Sequence, residues 1–454
     1  MSHRAISPID GRYQRKTDTL NPYLSEYALM KHRVLVECKW LAHMASTESI
    51  SDVRALTDTE DALLQNIIDT FDDTAADRIK TIERTTNHDV KAVEYYIKEQ
   101  IADTSLADLS EFIHFACTSE DINNLSYAMM VRDALADVWI QEAYELVETV
   151  AEKAELLRET PMLSRTHGQP ASPTTLGKEL AVFVHRWQRQ LRQLDNQEFL
   201  GKFNGAVGAF NAHVAAYPDA DWETIARVFV ESFGLTYNPL TTQIETHDAL
   251  AETFHAMMRF NTITLDFCRD MWTYISMGYF KQQAVEGEVG SSTMPHKVNP
   301  IDFENAEANV GISNSIMGHL AEKLSVSRLQ RDLSDSSALR NIGVGIAHSY
   351  IALQSTLKGM SKVAADETKL RADLDDAWEV LAEPIQTVLR KAGYDKPYEM
   401  LKELTRGARI TAEDIQAFVD GLDKLPAEDK ARLQALTPAT YIGIASELVD
   451  RIGD

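Results

Sequence analysis

Residues 250–279 read LAETFHAMMRFNTITLDFCRDMWTYISMGY and contain no proline and a single glycine. Within residues 260–279 apolar side chains cover much of the helix circumference, and such a helix needs neighbours on several sides. The stretch therefore predicts a buried helix in a bundle that oligomerisation buries further. Its apolar side chains recur at intervals of three and four, the period of an amphipathic helix, at Leu250, Phe254, Met257, Leu265, Cys268, Trp272 and Ile275.

Other long stretches share this pattern. The three-and-four spacing recurs in residues 131–157, 176–194 and 339–357. No proline lies between Pro22 and Pro161, which suits long helices because proline breaks them. Since strand-like alternation is rare and short, we predict an all-α fold with a central bundle of long helices.

Polar breaks at residues 103–105 and 364–367 suggest three helical domains. We predict an N-terminal domain over residues 1–110, a central long-helix bundle over 111–364 and a C-terminal domain over 365–454.

The chain is strongly acidic, with a formal net charge of −24. This charge argues against nucleic acid or an anionic membrane as a partner. Cys38, Cys117 and Cys268 lie far apart, as expected of reduced packing residues. We find no signal peptide and no apolar run long enough to span a bilayer, so we expect a cytoplasmic protein.

Residues 290–300 read GSSTMPHKVNP and place two hydroxyls, a cation and a carboxamide on one short segment. Glycines at 287 and 290 allow the backbone to bend and to bring N–H groups close to an anion. Asn299 followed by Pro300 predicts a helix start with Asn299 as its N-cap. Asp302 and Glu304 then fall in the first turn, where the helix dipole favours negative charge.

Residues 163–171, LSRTHGQPA, put His167 between glycine and proline, which predicts a non-helical turn that aims the imidazole outward. A histidine is a natural general acid near neutral pH. A solvated turn histidine is the alternative.

Three further segments allow two readings each. In residues 80–95, Thr86 or Asn87 could cap a helix, which is the plainer reading of a polar cluster. In residues 111–124, Thr118 and Asp121 have capping-box spacing, but the same helix start could hold an anion. Ser336 and Arg340 lie on one helical face, where they suit a phosphate or an ion pair with Asp335 or Asp332.

The sequence lacks the common nucleotide-loop, dinucleotide, zinc-protease and nucleophile-elbow motifs. We therefore predict no cofactor and no metal.

Taken in order, the segments TTNHD, FACTSEDINN, RTHGQPA and GSSTMPHKVNP resemble those of the fumarase/aspartase superfamily, whose members eliminate fumarate from substituted succinates. The resemblance covers residues 12–340. Within that superfamily, residues 80–95 and 111–124, together with the C-terminal residues 397–407, are similar to the bacterial family of adenylosuccinate lyases. That family implies a homotetramer without cofactor, cleaving adenylosuccinate to AMP and SAICAR to AICAR, each with release of fumarate.

The resemblance also implies residue roles. Ser291 would be the base that removes the succinyl β-proton, His167 the acid that protonates the departing nitrogen, and Glu304 the partner of His167. His88 would lie beside the substrate. The implied substrate-binding residues are Arg12, Tyr13, Asn87, Asp89, Thr118, Ser119, Gln243, Ser292, Lys297, Val298, Asn299, Asn305, Arg331, Ser336 and Arg340.

Chemistry adds one further expectation. A serine acts as a base only as an alkoxide stabilised by N–H groups and positive charge in a water-poor site. We therefore expect residues 285–298 to form a lid that closes over the substrate.

Two alternatives stay open. Another superfamily member, an argininosuccinate lyase or class II fumarase, is disfavoured by the phosphate-type pair Ser336 and Arg340 and by the TTNHD segment. A non-enzymatic protein on the same scaffold is disfavoured because the residues implied for catalysis are all present, namely Ser291, His167, Lys297 and Glu304.

Overall fold

The computed structural model describes residues 4–283, 294, 297–405 and 410–453, with the side chains of 403–405 excepted. The predicted all-α fold is confirmed, since the strands are few and short. The α-helices are α1 (Gln14–Thr17), α2 (Asn21–Leu24), α3 (Glu26–Ala45), α4 (Asp58–Asp69), α5 (Asp73–Thr86), α6 (Asp89–Ile101), α7 (Ser119–Ala134), α8 (Ile140–Leu156), α9 (Leu176–Asp195), α10 (Asn211–Ala216), α11 (Trp222–Glu231), α12 (Asp248–Met277), α13 (Ile301–Leu324), α14 (Ser334–Leu339), α15 (Ile342–Ser361), α16 (Glu367–Asp375), α17 (Ala382–Lys391), α18 (Pro397–Thr405), α19 (Ala412–Asp420), α20 (Ala427–Ala435) and α21 (Ala445–Leu448).

The strands form three small two-stranded sheets. The first and third pairs are antiparallel and the second is parallel. The pairs are β1 (Pro161–Thr166) with β2 (Gln169–Thr175), β3 (Leu200–Gly201) with β4 (Thr236–Tyr237), and β5 (Phe280–Gln282) with β6 (Val363–Ala365).

The chain forms two compact units. The first comprises Met1–Ala143, Gln190–Thr262 and Ala308–Ala352, and the second comprises Tyr144–Arg189, Ile263–Glu307 and Leu353–Asp454. The sequence-based boundaries after residues 110 and 364 stay a prediction.

The core of the first unit has an aromatic centre in which Trp40 is fully buried. Its ring centroid lies 4.3 Å from that of Phe203 and 5.0 Å from that of Phe229, distances at which aromatic pairs attract. Around these rings pack the apolar faces of α3, α4, α6 and α11. This core supports the helices that present the cavity described below.

Buried polar groups also link the long helices of the first unit. Asn261 of α12 donates to Ser313 of α13 (3.2 Å) and accepts from Ser349 of α15 (2.7 Å). Ser349 in turn accepts from the indole of Trp139 (2.8 Å). Because buried polar groups need their partners, these bonds fix the register of the helices.

In the second unit, the C-terminal helices form their own core. Leu374, Leu381 and Leu389 are fully buried there, and Leu163 of β1 packs with them. The hairpin that carries His167 is therefore held by apolar contacts at its base.

The predicted helix is confirmed as α12, and its apolar positions differ in burial within the single chain. Leu250, Phe254, Met257 and Cys268 are buried, but Leu265 and Ile275 are only partly buried and Trp272 is 46% exposed. Phe260, Phe267 and Met271 are buried instead. A helix that is apolar around its circumference contains more than one three-and-four stripe, so spacing alone does not select the buried one.

His213, within the first unit, titrates in a buried site. Its side chain is fully buried, neither ring nitrogen has a hydrogen-bond partner among the described residues, and its ring lies 4.8 Å from that of Trp222. Burial lowers the pKa of His213 to about 4. The unfolded chain protonates this histidine near pH 6.5, whereas the folded protein keeps it neutral until the pH falls to about 4. The stability that the neutral His213 contributes is therefore complete above pH 6.5 and is lost as the pH falls towards 4.

We therefore expect a His213→Phe variant to lose less stability than the wild type between pH 6.5 and 4, by up to about 3 kcal/mol. Urea denaturation at several pH values measures this difference. Parallel curves for the two proteins over that range would contradict it.

Candidate active site

A cavity of about 380 Å³ in the first unit collects seven of the predicted site residues. They come from three separate segments: the junction of α5 and α6, the start of α7, and residues 331–340. The seven are Asn87, His88, Asp89, Ser119, Arg331, Ser336 and Arg340; Arg33, Glu83, Glu120, Asn123, Tyr127, Leu333, Ser337 and Leu339 complete the lining. Their roles toward a substrate stay a prediction.

His88 is placed by the junction of α5 and α6. Asn87 ends α5 in a left-handed conformation with φ of 51°. His88 is the N-cap of α6, and its Nδ1 accepts from the backbone N–H of Lys91 (3.1 Å). The expectation that Thr86 or Asn87 caps this helix is therefore wrong, because the imidazole performs that function. In a neutral ring this bond puts the proton on Nε2, which can donate to a ligand.

Asp89 lies between two arginines. Its Oδ2 accepts from Arg33 (2.8 Å) and from Arg340 (3.2 Å), and its Oδ1 accepts from the backbone N–H of Val90 (2.9 Å). Burial alone would raise the pKa of Asp89, but the charge and hydrogen bond of Arg33 outweigh it and keep the pKa below its usual value. Asp89 is therefore a firmly ionised group.

The start of α7 is fixed by a buried carboxylate. Asp121 accepts from the backbone N–H of Thr118 (2.8 Å) and from Lys202 (2.8 Å), and both charged side chains are fully buried. It also accepts from the backbone N–H of Asn204 (3.0 Å). The sequence left two functions open for this segment, helix capping and anion binding. Thr118 and Asp121 form the helix cap, and Ser119 lines the cavity.

Arg331 contacts several neighbouring side chains, including Asp335, whose carboxylate lies 3.8 Å from its guanidinium. It donates to Gln243 (3.1 Å) and to the hydroxyl of Ser336 (2.9 Å), and it pairs with the buried Glu120 (2.9 Å). Gln243 also donates to the carbonyl of Ala206 (2.9 Å). Arg331 and Ser336 are thus already aligned with each other.

Arg340 does not form the ion pair with Asp335 or Asp332 that the sequence left open. It pairs with Asp89 (3.2 Å), and its side chain is 49% exposed. A hydroxyl and two guanidiniums in one cavity form the donor set that binds phosphate well.

Arg12 and Tyr13 lie immediately before α1, with Tyr13 at its N-cap position, and are not among the residues that line the cavity. Arg12 is exposed. Their assignment to the nucleotide end stays a prediction.

His167 belongs to the second unit, at the tip of the hairpin formed by β1 and β2. Thr166 pairs with Gln169, so the turn consists of His167 and Gly168, with φ of 53° and 76°. Two successive left-handed residues favour a two-residue hairpin turn. The predicted non-helical turn is present and the histidine is exposed.

Glu304 lies in the first turn of α13, as predicted, and accepts from the indole of Trp272 (3.1 Å). The predicted helix start is displaced by one residue. The carbonyl of Pro300 accepts from the N–H of Glu304 (3.3 Å), so Pro300 and not Asn299 occupies the N-cap position.

The other predicted residues of this region also belong to the second unit. Lys297 and Val298 are exposed, and the carbonyl of Val298 accepts from Gln282 (2.8 Å). Asn305 accepts from the hydroxyl of Ser355 (2.8 Å). Ser291 and Ser292, with most of the predicted lid, lie outside the described residues.

Sequence reasoning did not assign Arg33, Glu120, Asn123 or Tyr127 to the site, although all four line the cavity. Arg33 gave no signal of its own, because α3 also carries other charged residues such as Lys31, Glu37 and Lys39. Glu120 and Asn123 lie in the FACTSEDINN segment, but spacing did not distinguish ligand contacts from helix-capping residues there.

Among the described residues, no group of three or more histidines, cysteines and acidic residues could hold a metal ion. Nor does any described helix have the length and apolar character needed to cross a membrane.

Comparison with known proteins identifies the family. A family described as lyase matches residues 11–318, and one described as adenylosuccinate lyase C-terminal matches residues 327–442. The adenylosuccinate lyases of Escherichia coli K12 and Haemophilus influenzae are 56% and 55% identical over 449 residues, covering 99% of this chain and 98% of each relative. That of Vibrio cholerae is 54% identical over 450 residues, with the same coverage.

Solved structures agree in fold. A 3-carboxy-cis,cis-muconate lactonizing enzyme from Pseudomonas putida has a TM-score of 0.73 at 20% identity and covers 96% of both chains. A fumarate lyase from Mesorhizobium sp. BNC1 has a TM-score of 0.77 at 18% identity and covers 96% of this chain and 97% of its own. With the family matches and the full-length relatives, the chain belongs to the adenylosuccinate lyase family.

Proposed function

We propose that the chain is a carbon–nitrogen lyase that eliminates fumarate from adenylosuccinate, giving AMP, and from SAICAR, giving AICAR. The observation that carries the proposal is the cavity in which Arg331, Ser336 and Arg340 lie beside His88 and Asp89. Both substrates carry a phosphate as well as two carboxylates, so they need clustered cations within an acidic protein. Family membership supports the same reaction.

The proposed reaction uses one base and one acid. Ser291 removes the proton from the β-carbon of the succinyl group, and the electron pair forms a doubly charged aci-carboxylate. That charge needs cations and N–H donors, which Lys297 and the glycine-rich backbone beside it supply. The pair then forms the double bond of fumarate as the carbon–nitrogen bond breaks, and His167 protonates the departing nitrogen.

The remaining residues bind and orient the substrate. Arg331, Ser336 and Arg340 hold the phosphate, with Arg12 and Tyr13 at the nucleotide end. Thr118, Ser119, Gln243, Lys297 and Asn299 hold the succinyl group, while Ser292, Val298 and Asn305 lie near it. His88, with Asn87 and Asp89, lies beside the scissile bond, and Glu304 orients His167.

The reaction is tested by incubating the purified protein with adenylosuccinate and separating the products. We expect AMP and fumarate in equal amounts, and AICAR and fumarate from SAICAR. Argininosuccinate and malate, the substrates of the nearest rival lyases, should release no fumarate at the same enzyme concentration. Cleavage of either one in preference to adenylosuccinate would overturn the proposal.

We also propose a homotetramer with active sites shared between subunits. The family resemblance supports it, as do half-exposed apolar side chains on long helices, such as Trp272 and Ile312, both 46% exposed in the single chain. A mixture of inactive Ser291→Ala and His167→Ala proteins should regain part of the activity once subunits exchange. Absence of recovery after verified exchange would count against shared sites.

A cytoplasmic location fits this function. Cys38, Cys117 and Cys268 are free thiols, as is usual in a reducing compartment.

A further inference from the structure

A continuous series of polar contacts runs along the wall of the cavity. Arg33 donates to Asp89 (2.8 Å) and to the side-chain oxygen of Asn123 (2.9 Å). Asn123 donates to Glu120 (2.7 Å), which pairs with Arg331 (2.9 Å). With the pairs Arg340–Asp89 and Arg331–Ser336, these contacts form what we call the counter-ion chain, consisting of Arg340, Asp89, Arg33, Asn123, Glu120, Arg331 and Ser336.

Arg33 is the central member of this chain and the most deeply buried of its arginines. Its side chain is 5% exposed, against 18% for Arg331 and 49% for Arg340. Both of its observed bonds are directed to protein groups. A guanidinium can hold two partners at once because its donors are fixed in one plane.

Arg33 competes with Arg340 for a single oxygen. Asp89 Oδ2 accepts from both, at 2.8 Å from Arg33 and 3.2 Å from Arg340. Without Arg33, the charge of Asp89 would be balanced by Arg340 alone. That guanidinium would then be held more strongly at Asp89 and would be less available to a ligand.

The charge balance points the same way. The lining of the cavity holds three guanidiniums, Arg33, Arg331 and Arg340, and three carboxylates, Glu83, Asp89 and Glu120, so their formal charges cancel. Without Arg33 the carboxylates would outnumber the guanidiniums and the formal charge of the lining would be −1. A negative lining in a chain of net charge −24 would oppose the binding of a phosphate.

We infer that Arg33 is a positioning residue for phosphate binding: it neutralises Asp89 so that Arg340 stays available, and through Asn123 and Glu120 it aligns Arg331. This inference rests on the proposed function in taking the ligand to be a nucleoside monophosphate. It assigns no contact between Arg33 and the substrate.

The test is calorimetric binding of AMP and of adenosine to the full-length protein and its variants. Arg33→Met should weaken AMP binding at least about tenfold, the worth of a charge-assisted hydrogen bond. Adenosine binding should change by less than about threefold, because adenosine has no phosphate. Arg33→Lys keeps the charge but not the planar donors that reach both Asp89 and Asn123, so it should weaken AMP binding by a smaller factor than Arg33→Met.

A second substitution separates positioning from simple packing. In an Asp89→Asn background the acceptor charge is absent, so Arg33→Met should then weaken AMP binding by less than about threefold. Arg54→Met is the matched control. Arg54 pairs with Glu60 and Asp108 outside the cavity, and its loss should leave AMP binding unchanged.

An equal loss of AMP affinity with and without the Asp89 charge would overturn the inference, as would equal losses for AMP and adenosine. If the wild type and its variants bind AMP as expected, but the wild type releases no fumarate from adenylosuccinate, the proposed function fails and the inference stands. If the wild type does not bind AMP, the inference fails as well.

Discussion

Replacing His167 with alanine is expected to lower kcat by about 10²–10⁴, the usual worth of a positioned general acid. The departing nitrogen must receive a proton as the carbon–nitrogen bond breaks, and an exposed imidazole at the tip of a hairpin turn can provide one. Substrate affinity should change little, because most of it comes from phosphate and carboxylate contacts. Ser291→Ala should cause a loss of the same size by removing the base.

Steady-state kinetics with adenylosuccinate measures both effects. His185→Ala is the control, since His185 is another exposed histidine of the second unit. Near-normal kcat for His167→Ala would assign the acid to another group, with His88 the first candidate. Near-normal kcat for Ser291→Ala would assign the role of the base to another residue.

Replacing Lys202 with methionine is expected to destabilise the protein by about 3–5 kcal/mol, the cost of breaking a buried ion pair by removing one partner. Lys202 and Asp121 are both fully buried and 2.8 Å apart. Lys202 also donates to the carbonyl of Gly205 (3.2 Å). The variant leaves the carboxylate of Asp121 charged and buried with backbone N–H groups as its remaining partners.

Urea denaturation at one fixed protein concentration measures this loss, since the stability of an oligomer depends on concentration. Arg371→Met is the control, because the pair of Arg371 with Asp375 is largely exposed and should contribute less than about 1 kcal/mol. A loss of less than about 1 kcal/mol for Lys202→Met would contradict the claim that the buried pair of Lys202 and Asp121 fixes the start of α7.

Much of the architecture follows from helical spacing. The long helices α8, α9, α12 and α15 cover the regions where apolar residues recur at three and four. Spacing does not identify the buried face of a helix that is apolar all round: Trp272 continues the three-and-four stripe of α12 but is 46% exposed in the single chain. Burial depends on contacts with other helices, which local sequence does not specify.

The site was predictable where residue chemistry is unusual. Ser336 and Arg340 were singled out by their spacing as a pair suited to phosphate, Arg331 was implied by the family resemblance, and all three line one cavity with His88. Arg33 was missed because it lies in an ordinary helix, and only the tertiary fold places it against Asp89. The capping role of His88 was missed because Thr86 and Asn87 are the commoner capping types.

The central claim is that this cavity recognises the phosphate of a succinylated nucleotide. The direct measurement compares kcat/KM for adenylosuccinate with that for succinyladenosine, the same molecule without its phosphate. Charge-assisted hydrogen bonds from Arg331 and Arg340 together predict a ratio of at least about 10². Equal kcat/KM values for the two substrates would contradict the account.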